Sequence, residues 1–206
     1  WATGASMNLH RGSGMGAGVT DSAAITAGGY RSGIKALTEL YDGTSWTEVN
    51  DIPRGYYEPA GGKGTQTSAL IFGAGTVPGT SNQADSWSGT NWTNITGLNT
   101  AKKAGPGIGA SNTNGLCCGG RLDPGAVTDE TETWNGSSWT NINTMNTARR
   151  AFSSSGASNT SGLAFSGYST TVLNVTESWN GTNWTNVNPL NSARADSQGW
   201  GTQTSA

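Results

Sequence analysis

The chain repeats one sequence pattern five times, and that repetition constrains its fold more than any other feature. TETWNGSSWTNINTMNTAR at 131–149 returns almost letter for letter as TESWNGTNWTNVNPLNSAR at 176–194. Laying the chain on itself places the second Trp of each copy at Trp1, Trp46, Trp92, Trp139 and Trp184, at spacings of 45, 46, 47 and 45 residues. A fixed period in the forties is the mark of a repeat architecture, in which each unit buries its apolar face only against its neighbours. The 206 residues therefore read as one array.

Leu, Ile, Val and Phe supply only 27 residues, a share that with high net charge would signal disorder. The formal net charge is only −2, nine Trp supply the apolar bulk and 32 Gly supply tight turns, so the chain reads as folded, glycine-rich and all-β. Such a charge gives no whole-molecule pull toward nucleic acid or anionic lipid. No apolar run reaches 18 residues, so membrane insertion is not expected. Starting at Trp without an initiator Met, the chain reads as a fragment or a processed product.

Each copy divides into four short β candidates. A Gly/Ala/Ser run comes first (GSGMGAGVT, AGPGIGAS, AFSSSGAS), its small residues suiting a tightly packed inner strand. The most apolar run follows (AAITAGGY, SALIFGAG, GLCCGG, GLAFSGY), ending in small residues that suit a sharp turn or close backbone approach. After a variable loop comes a third strand with an acid and an aromatic (TELY, ADSW, TETW, TESW), and a fourth begins at the second Trp. Gly43, Gly89, Gly136 and Gly181 lie between the third and fourth strands, in Asp-Gly, Ser-Gly and Asn-Gly pairs; Asp-Gly and Asn-Gly supply the positive φ angles of hairpin turns. The first aromatics, including Trp87, Trp134 and Trp179, thus share a hairpin with the second Trp, and packing between sheets is the favoured role over a ladder for stacking sugars.

Four strands in about 46 residues describe a propeller blade. The pattern resembles the Kelch family. It shares the small-residue turn after the second strand (Gly28-Gly29, Gly119-Gly120), the acid–x–aromatic, turn and Trp of Glu39–Trp46, Glu132–Trp139 and Glu177–Trp184, and M-N-T-A-R, which is similar to the family's M-P-x-x-R. The Asn/Thr/Ser-rich copies are also similar in style to Kelch-like repeats of phage and marine-virus structural proteins. The expected fold is an all-β propeller with blades at 11–50, 56–96, 102–143 and 149–188. A fifth, incomplete blade would join a strand at 1–5 to residues 194–206. Five copies of this length need about 230 residues, so the alternative is a segment of a longer array, and an incomplete blade would also allow self-association.

Ten residues after each second Trp come Arg11, Tyr56, Lys102, Arg149 and Arg194, and seven of the eleven Lys and Arg fall in this short segment. Rotational repetition would set Arg11, Lys102, Arg149 and Arg194 in a ring around one face, where guanidinium groups bind carboxylate, sulfate or phosphate. The competing reading, which the Arg of Kelch-type repeats suggests, is structural, each Arg bonding backbone carbonyls of a neighbouring blade. Stacking aromatics do not interleave with these cations, so nucleic acid is not the expected partner.

No catalytic residue, metal site or cofactor is expected. His10 is the lone histidine, which excludes a multi-histidine site within this chain; the copper oxidases among Kelch-type propellers need several His and Tyr ligands. An acid recurring in every copy (Glu39, Asp85, Glu132, Glu177) is not a catalytic pair. Cys117 and Cys118 align with apolar residues and read as small core hydrophobes, with a vicinal disulfide or metal site as the rival. The sequons at Asn91, Asn94, Asn135, Asn159, Asn174, Asn180 and Asn183 read as strand and turn composition. The resulting expectation is a non-enzymatic binding or structural module of a virion or cell surface, extracellular, with a glycan or protein surface as partner. Its variable loops at 30–37, 75–83, 120–129 and 167–174 would carry recognition. The alternatives are a lectin with repeated sites between blades and a protein-interaction platform in a larger assembly.

Overall fold

The computed structural model of the chain describes residues 4–59, 61–76, 79–199 and 201–204. Within them the architecture is all-β: four antiparallel sheets of four strands, each built in sequence order. The first holds β1 (Met15–Thr20), β2 (Ala23–Ala27), β3 (Thr38–Tyr41) and β4 (Trp46–Val49). The second holds β5 (Gly61–Thr65), β6 (Ser68–Gly75), β7 (Thr80–Trp87) and β8 (Trp92–Ile95). The third holds β9 (Gly107–Ser111), β10 (Asn114–Cys118), β11 (Thr131–Trp134) and β12 (Trp139–Ile142). The fourth holds β13 (Ser153–Ser158), β14 (Ser161–Phe165), β15 (Thr176–Trp179) and β16 (Trp184–Val187). Trp1 and the start of the expected strand at 1–5 lie outside the described residues, and residues 4 and 5 belong to no strand.

The sheets pack in order through their first strands, β1 on β5, β5 on β9 and β9 on β13. Glycine and alanine dominate β1, β5 and β9, and serine fills β13; bulky side chains would hold these backbones apart. Three apolar cores fill the gaps between successive sheets. The second strands serve two cores at once because neighbouring side chains point to opposite faces. In β6, Ala69 and Ile71 join the core toward the first sheet, while Leu70 and Phe72 join the core toward the third. Cys117 and Cys118 divide in the same way between the second and third cores, and their sulfurs form no disulfide. A run buried on both faces has no reason to alternate, which is why these segments are the most apolar of each copy.

The third and fourth strands are joined by four residues, such as Asp42–Ser45. In these hairpins glycine alone takes the positive φ: 94° at Gly43, 92° at Gly89, 97° at Gly136 and 92° at Gly181. The residue before it works through its side chain instead. Asn135 Oδ1 accepts the amides of Ser137 at 2.9 Å and Ser138 at 3.0 Å, and Asp42 and Asn180 do the same in their copies. The sequence expectation gave the dipeptide as the source of positive φ; the observed division of labour explains how Ser88 can stand in its place.

In the second sheet β6 and β7 extend toward each other, so much of the expected loop at 75–83 is strand. Residues 196–199 and 201–204 lie along the fourth sheet: the Gly156 amide donates to the Gly201 carbonyl at 3.1 Å, and the Gln203 amide donates to the Trp179 carbonyl at 2.8 Å. At the other end of the chain, the Asn8 amide donates to Glu39 at 2.7 Å, and Trp46 Nε1 donates to the Ala5 carbonyl at 3.2 Å.

Candidate functional site

The repeated cation and the repeated acid meet. Arg11 pairs with Glu39, Lys102 with Glu132 at 3.0 Å, and Arg149 with Glu177. In each case the cation comes from the segment that leads into a sheet and the acid from that sheet's third strand. Arg149 also donates to the Ala164 carbonyl at 3.1 Å and lies over the Phe152 ring at 5.0 Å. Arg11 donates to the Gly28 carbonyl at 2.8 Å. The second sheet solves the same problem with other residues. Its acid, Asp85, is one carbon shorter; Tyr56 donates its hydroxyl to it at 2.6 Å, and Arg54 Nε lies 3.4 Å from the same oxygen.

The side chains of Lys102 and Arg149 are fully buried and that of Arg11 nearly so. This corrects the expectation of a cationic ring open to ligand: at three of its four positions the charge is buried against a carboxylate. A buried ion pair persists because removing either partner strands an uncompensated charge. Arg194 is the exception; it is exposed, and its Nε makes only a long bond, 3.4 Å, to the Ser192 carbonyl.

Burial alone pushes the Glu39 carboxyl up, but the hydrogen bonds from Arg11 and the Asn8 and Leu9 amides, with Arg11's charge, outweigh it and hold the group below its ordinary value. Desolvation presses Lys102 toward neutrality, and the surrounding Cys117, Glu132 and Glu130 reverse that and raise it. Burial pushes the Cys117 thiol up to about 12, and Cys118 and the Tyr56 hydroxyl higher still, so none of the three is a nucleophile near neutrality.

The paired aromatics face each other across each hairpin, Tyr41 with Trp46, Trp87 with Trp92, Trp134 with Trp139 and Trp179 with Trp184, with ring centroids 5.1 to 5.4 Å apart. The three Trp pairs are buried and pack back onto the preceding sheet. Their nitrogens fix that packing. Trp92 donates to Thr38 Oγ1 at 2.9 Å, Trp139 to the Thr96 carbonyl at 3.1 Å and Trp184 to Thr131 Oγ1 at 3.0 Å, each on the preceding sheet or the segment leaving it. An amide at each first turn adds a clamp: Gln66, Asn112 and Asn159 donate to the carbonyls of Tyr41, Trp87 and Trp134 of the sheet before. Of the repeat tryptophans within the described residues, only Trp46 is half-exposed.

At one end of the strands the second-to-third-strand loops meet the segments that cross between sheets. A cavity of about 480 Å³ opens here, lined by residues of all four sheets and of 196–199. Five of its lining residues, Ser13, Glu58, Ala104, Ala151 and Asp196, each stand twelve positions after a repeat Trp, and each takes a left-handed φ between 44° and 56°. Four backbone bonds link them in order: Glu58 donates to Ser13, Ala104 to Glu58, Ala151 to Ala104 and Asp196 to Ala151, at 2.8 to 3.1 Å. Sequence reading missed this series because the five residue types have nothing in common.

Around the cavity the outward residues are aromatic and cationic. Lys103 lies 5.6 Å from the Tyr57 ring, Arg150 lies 4.8 Å from Tyr168, and the Tyr30 ring packs at a tilt against Tyr57, 5.4 Å between centroids. The signal for Lys103 and Arg150 was present in the doubled cations, but the first member of each doublet drew the assignment. Among the described residues no group of three or more His, Cys, Asp or Glu side chains is placed to hold a metal ion, and no helix is long and apolar enough to cross a membrane. Compared with known proteins, the chain matches no family model and no curated sequence.

Proposed function

We propose that the chain is a non-enzymatic, Kelch-like β-propeller of five repeats, a rigid module of a virion or cell surface that binds through the end bearing its variable loops. One observation carries the reading: the features that recur in every copy are spent on holding sheets together, and those that vary face outward around one cavity. The buried ion pairs, the Trp pairs and the amide clamps belong to the first group. Tyr30, Tyr57, Tyr168, Arg31, Arg121 and Arg150, on loops and crossing segments, belong to the second, and Tyr and Arg are the residues that dominate binding energy in protein interfaces. Five equivalent left-handed residues, joined in order along the cavity wall, support arrangement about an axis.

The lectin alternative needs an exposed ring at each junction for sugar stacking, and the buried Trp pairs offer none there. A glycan-array screen at low and physiological salt, beside acrylamide quenching of tryptophan fluorescence, tests the choice. The proposal expects quenching confined to a small part of the emission and no salt-insensitive binding of neutral sugars. Strong quenching together with such binding would replace it with the lectin, and turnover by the purified chain would end the non-enzymatic assignment.

A further inference from the structure

The four inner strands carry a single charged residue, Lys63 of β5. Strand register identifies its counterparts. Lys63 stands opposite Leu70, as Ala17 stands opposite Ile25, Ile108 opposite Leu116 and Ser155 opposite Leu163. The other inner strands therefore place a small or apolar side chain where this one places an ammonium, so the repeat itself does not require the charge.

Lys63 lines the cavity, and its stem runs beside Gly107 of the next sheet. The ion pairs of the described residues engage Arg11, Arg54, Lys102, Lys103 and Arg149; none engages Lys63, and it makes no side-chain hydrogen bond. Desolvation by the surrounding strands lowers its pKa. An ammonium held partly out of water with no partner costs folding free energy, and an anion beside it would return that cost.

The rest of the wall leaves room for one. Lys103 neutralises Glu58 at 3.1 Å, so the charges left on the lining are Lys63 and Arg150 against Asp196. The Ser153 and Ser154 hydroxyls already donate to Ser197 and to the Gly107 carbonyl, so a neutral donor left on the lining is the amide of Gln198. We infer that this cavity binds a small oxyanion, of the phosphate or carboxylate class, with the Lys63 ammonium as its counter-charge. None of the variable loops lines the cavity; Arg150, on a crossing segment, is shared with the proposed recognition surface.

The test compares thermal unfolding of the whole chain in phosphate and in chloride at matched ionic strength, for the parent, Lys63→Met and Lys63→Arg. Phosphate at about ten times its dissociation constant should raise the parent Tm by about 3–6 °C. Lys63→Arg should keep most of that rise and Lys63→Met should lose it. Lys63→Met places an apolar side chain where another inner strand carries Ile108, so folding is expected to survive. An equal rise in the parent and Lys63→Met would overturn the inference, because exclusion of phosphate from protein surfaces stabilises any fold. No rise in the parent at 50 mM phosphate or acetate, about the top of a weak-binding range, would overturn it too. A direct readout is the NMR titration of the Lys63 ε-methylene: bound phosphate should raise its pKa, and an unchanged titration would count against the site.

Discussion

The two ends of the strands differ in kind. At one end lie the turns joining first to second and third to fourth strands; they are nearly the same in every copy and contain no Lys or Arg. At the other end lie the loops and crossing segments, which differ between copies and hold ten of the eleven cations, all but Lys63. The turn end is closed by local bonds of backbone and Asn, Asp or Ser side chains, and the Gln66, Asn112 and Asn159 amides clamp each first turn to the sheet before. At the crossing end adjacent residues have opposite fates. Arg149 is buried on Glu177, while Arg150 lies outward over Tyr168. Repetition therefore marks what the molecule uses to hold itself, and a charge within a repeat can be as internal as a tryptophan.

The sharpest break of this comparison is Glu177→Gln. It leaves the Arg149 guanidinium buried without its counter-charge, and the expected loss is about 3–5 kcal/mol in urea unfolding. The double change Arg149→Met with Glu177→Leu should recover most of it, because the charge requiring compensation is gone. A Glu177→Gln loss below 1 kcal/mol would mean that water reaches the pair. Acid tests the same device at Arg11. The Glu39 carboxyl lies below its ordinary value of 4.5 in the folded state, so its contribution is complete above that pH and drains away as pH falls through the lowered folded value. Removing the partner with Arg11→Met should flatten this part of the pH–stability curve.

Glycine separates the ends more finely. Gly119, at the crossing end, has φ 56°, and a Cβ there would stand 2.7 Å from both the Arg149 carbonyl and the Phe152 ring. Gly136, at the turn end, has φ 97°, but its nearest neighbour is a Thr113 carbon at 3.5 Å. Gly119→Ala adds overpacking to backbone strain and should cost about 2–5 kcal/mol, against about 1–2 kcal/mol of strain alone for Gly136→Ala. Equal losses would show that the crossing segment shifts to accept a methyl group.

Much of the architecture was legible because it rests on short patterns. The strands TELY, TETW, TESW and WTNI fall where the period puts them, and the hairpin glycines take the positive φ that Asn-Gly and Asp-Gly imply. The partners were not legible. The acid of the third strand and the cation ahead of the first stand 28 residues apart in Arg11–Glu39 and again in Arg149–Glu177, a separation only the folded sheet closes. Read alone, the cations left two roles open, a ligand-binding ring or a structural one, and the acids had no assigned partner. In the second copy Tyr56 stands at the cation's position, and only the folded sheet shows that it and Arg54 both meet the third-strand acid Asp85. Lys63 left no trace, since a lone lysine in a glycine run gives no clue to which side it faces.

Turn-end side chains should come next in size. Asn135→Ala removes the oxygen that accepts the Ser137 and Ser138 amides at an exposed hairpin, where water replaces it, so about 1 kcal/mol is expected. The smallest effect belongs to the one ring position that stays outside. Arg194 aligns with Arg149, but its side chain is exposed and meets no carboxylate among the described residues. Arg194→Ala should change stability by less than about 0.5 kcal/mol, as surface substitutions away from special features do. Arg149→Ala, the same change at the same place in the repeat, should approach the loss seen with Glu177→Gln. If the two arginine variants instead unfold alike, burial against the third-strand acid is not what separates them, and the division between inward and outward cations at this end of the molecule has to be redrawn.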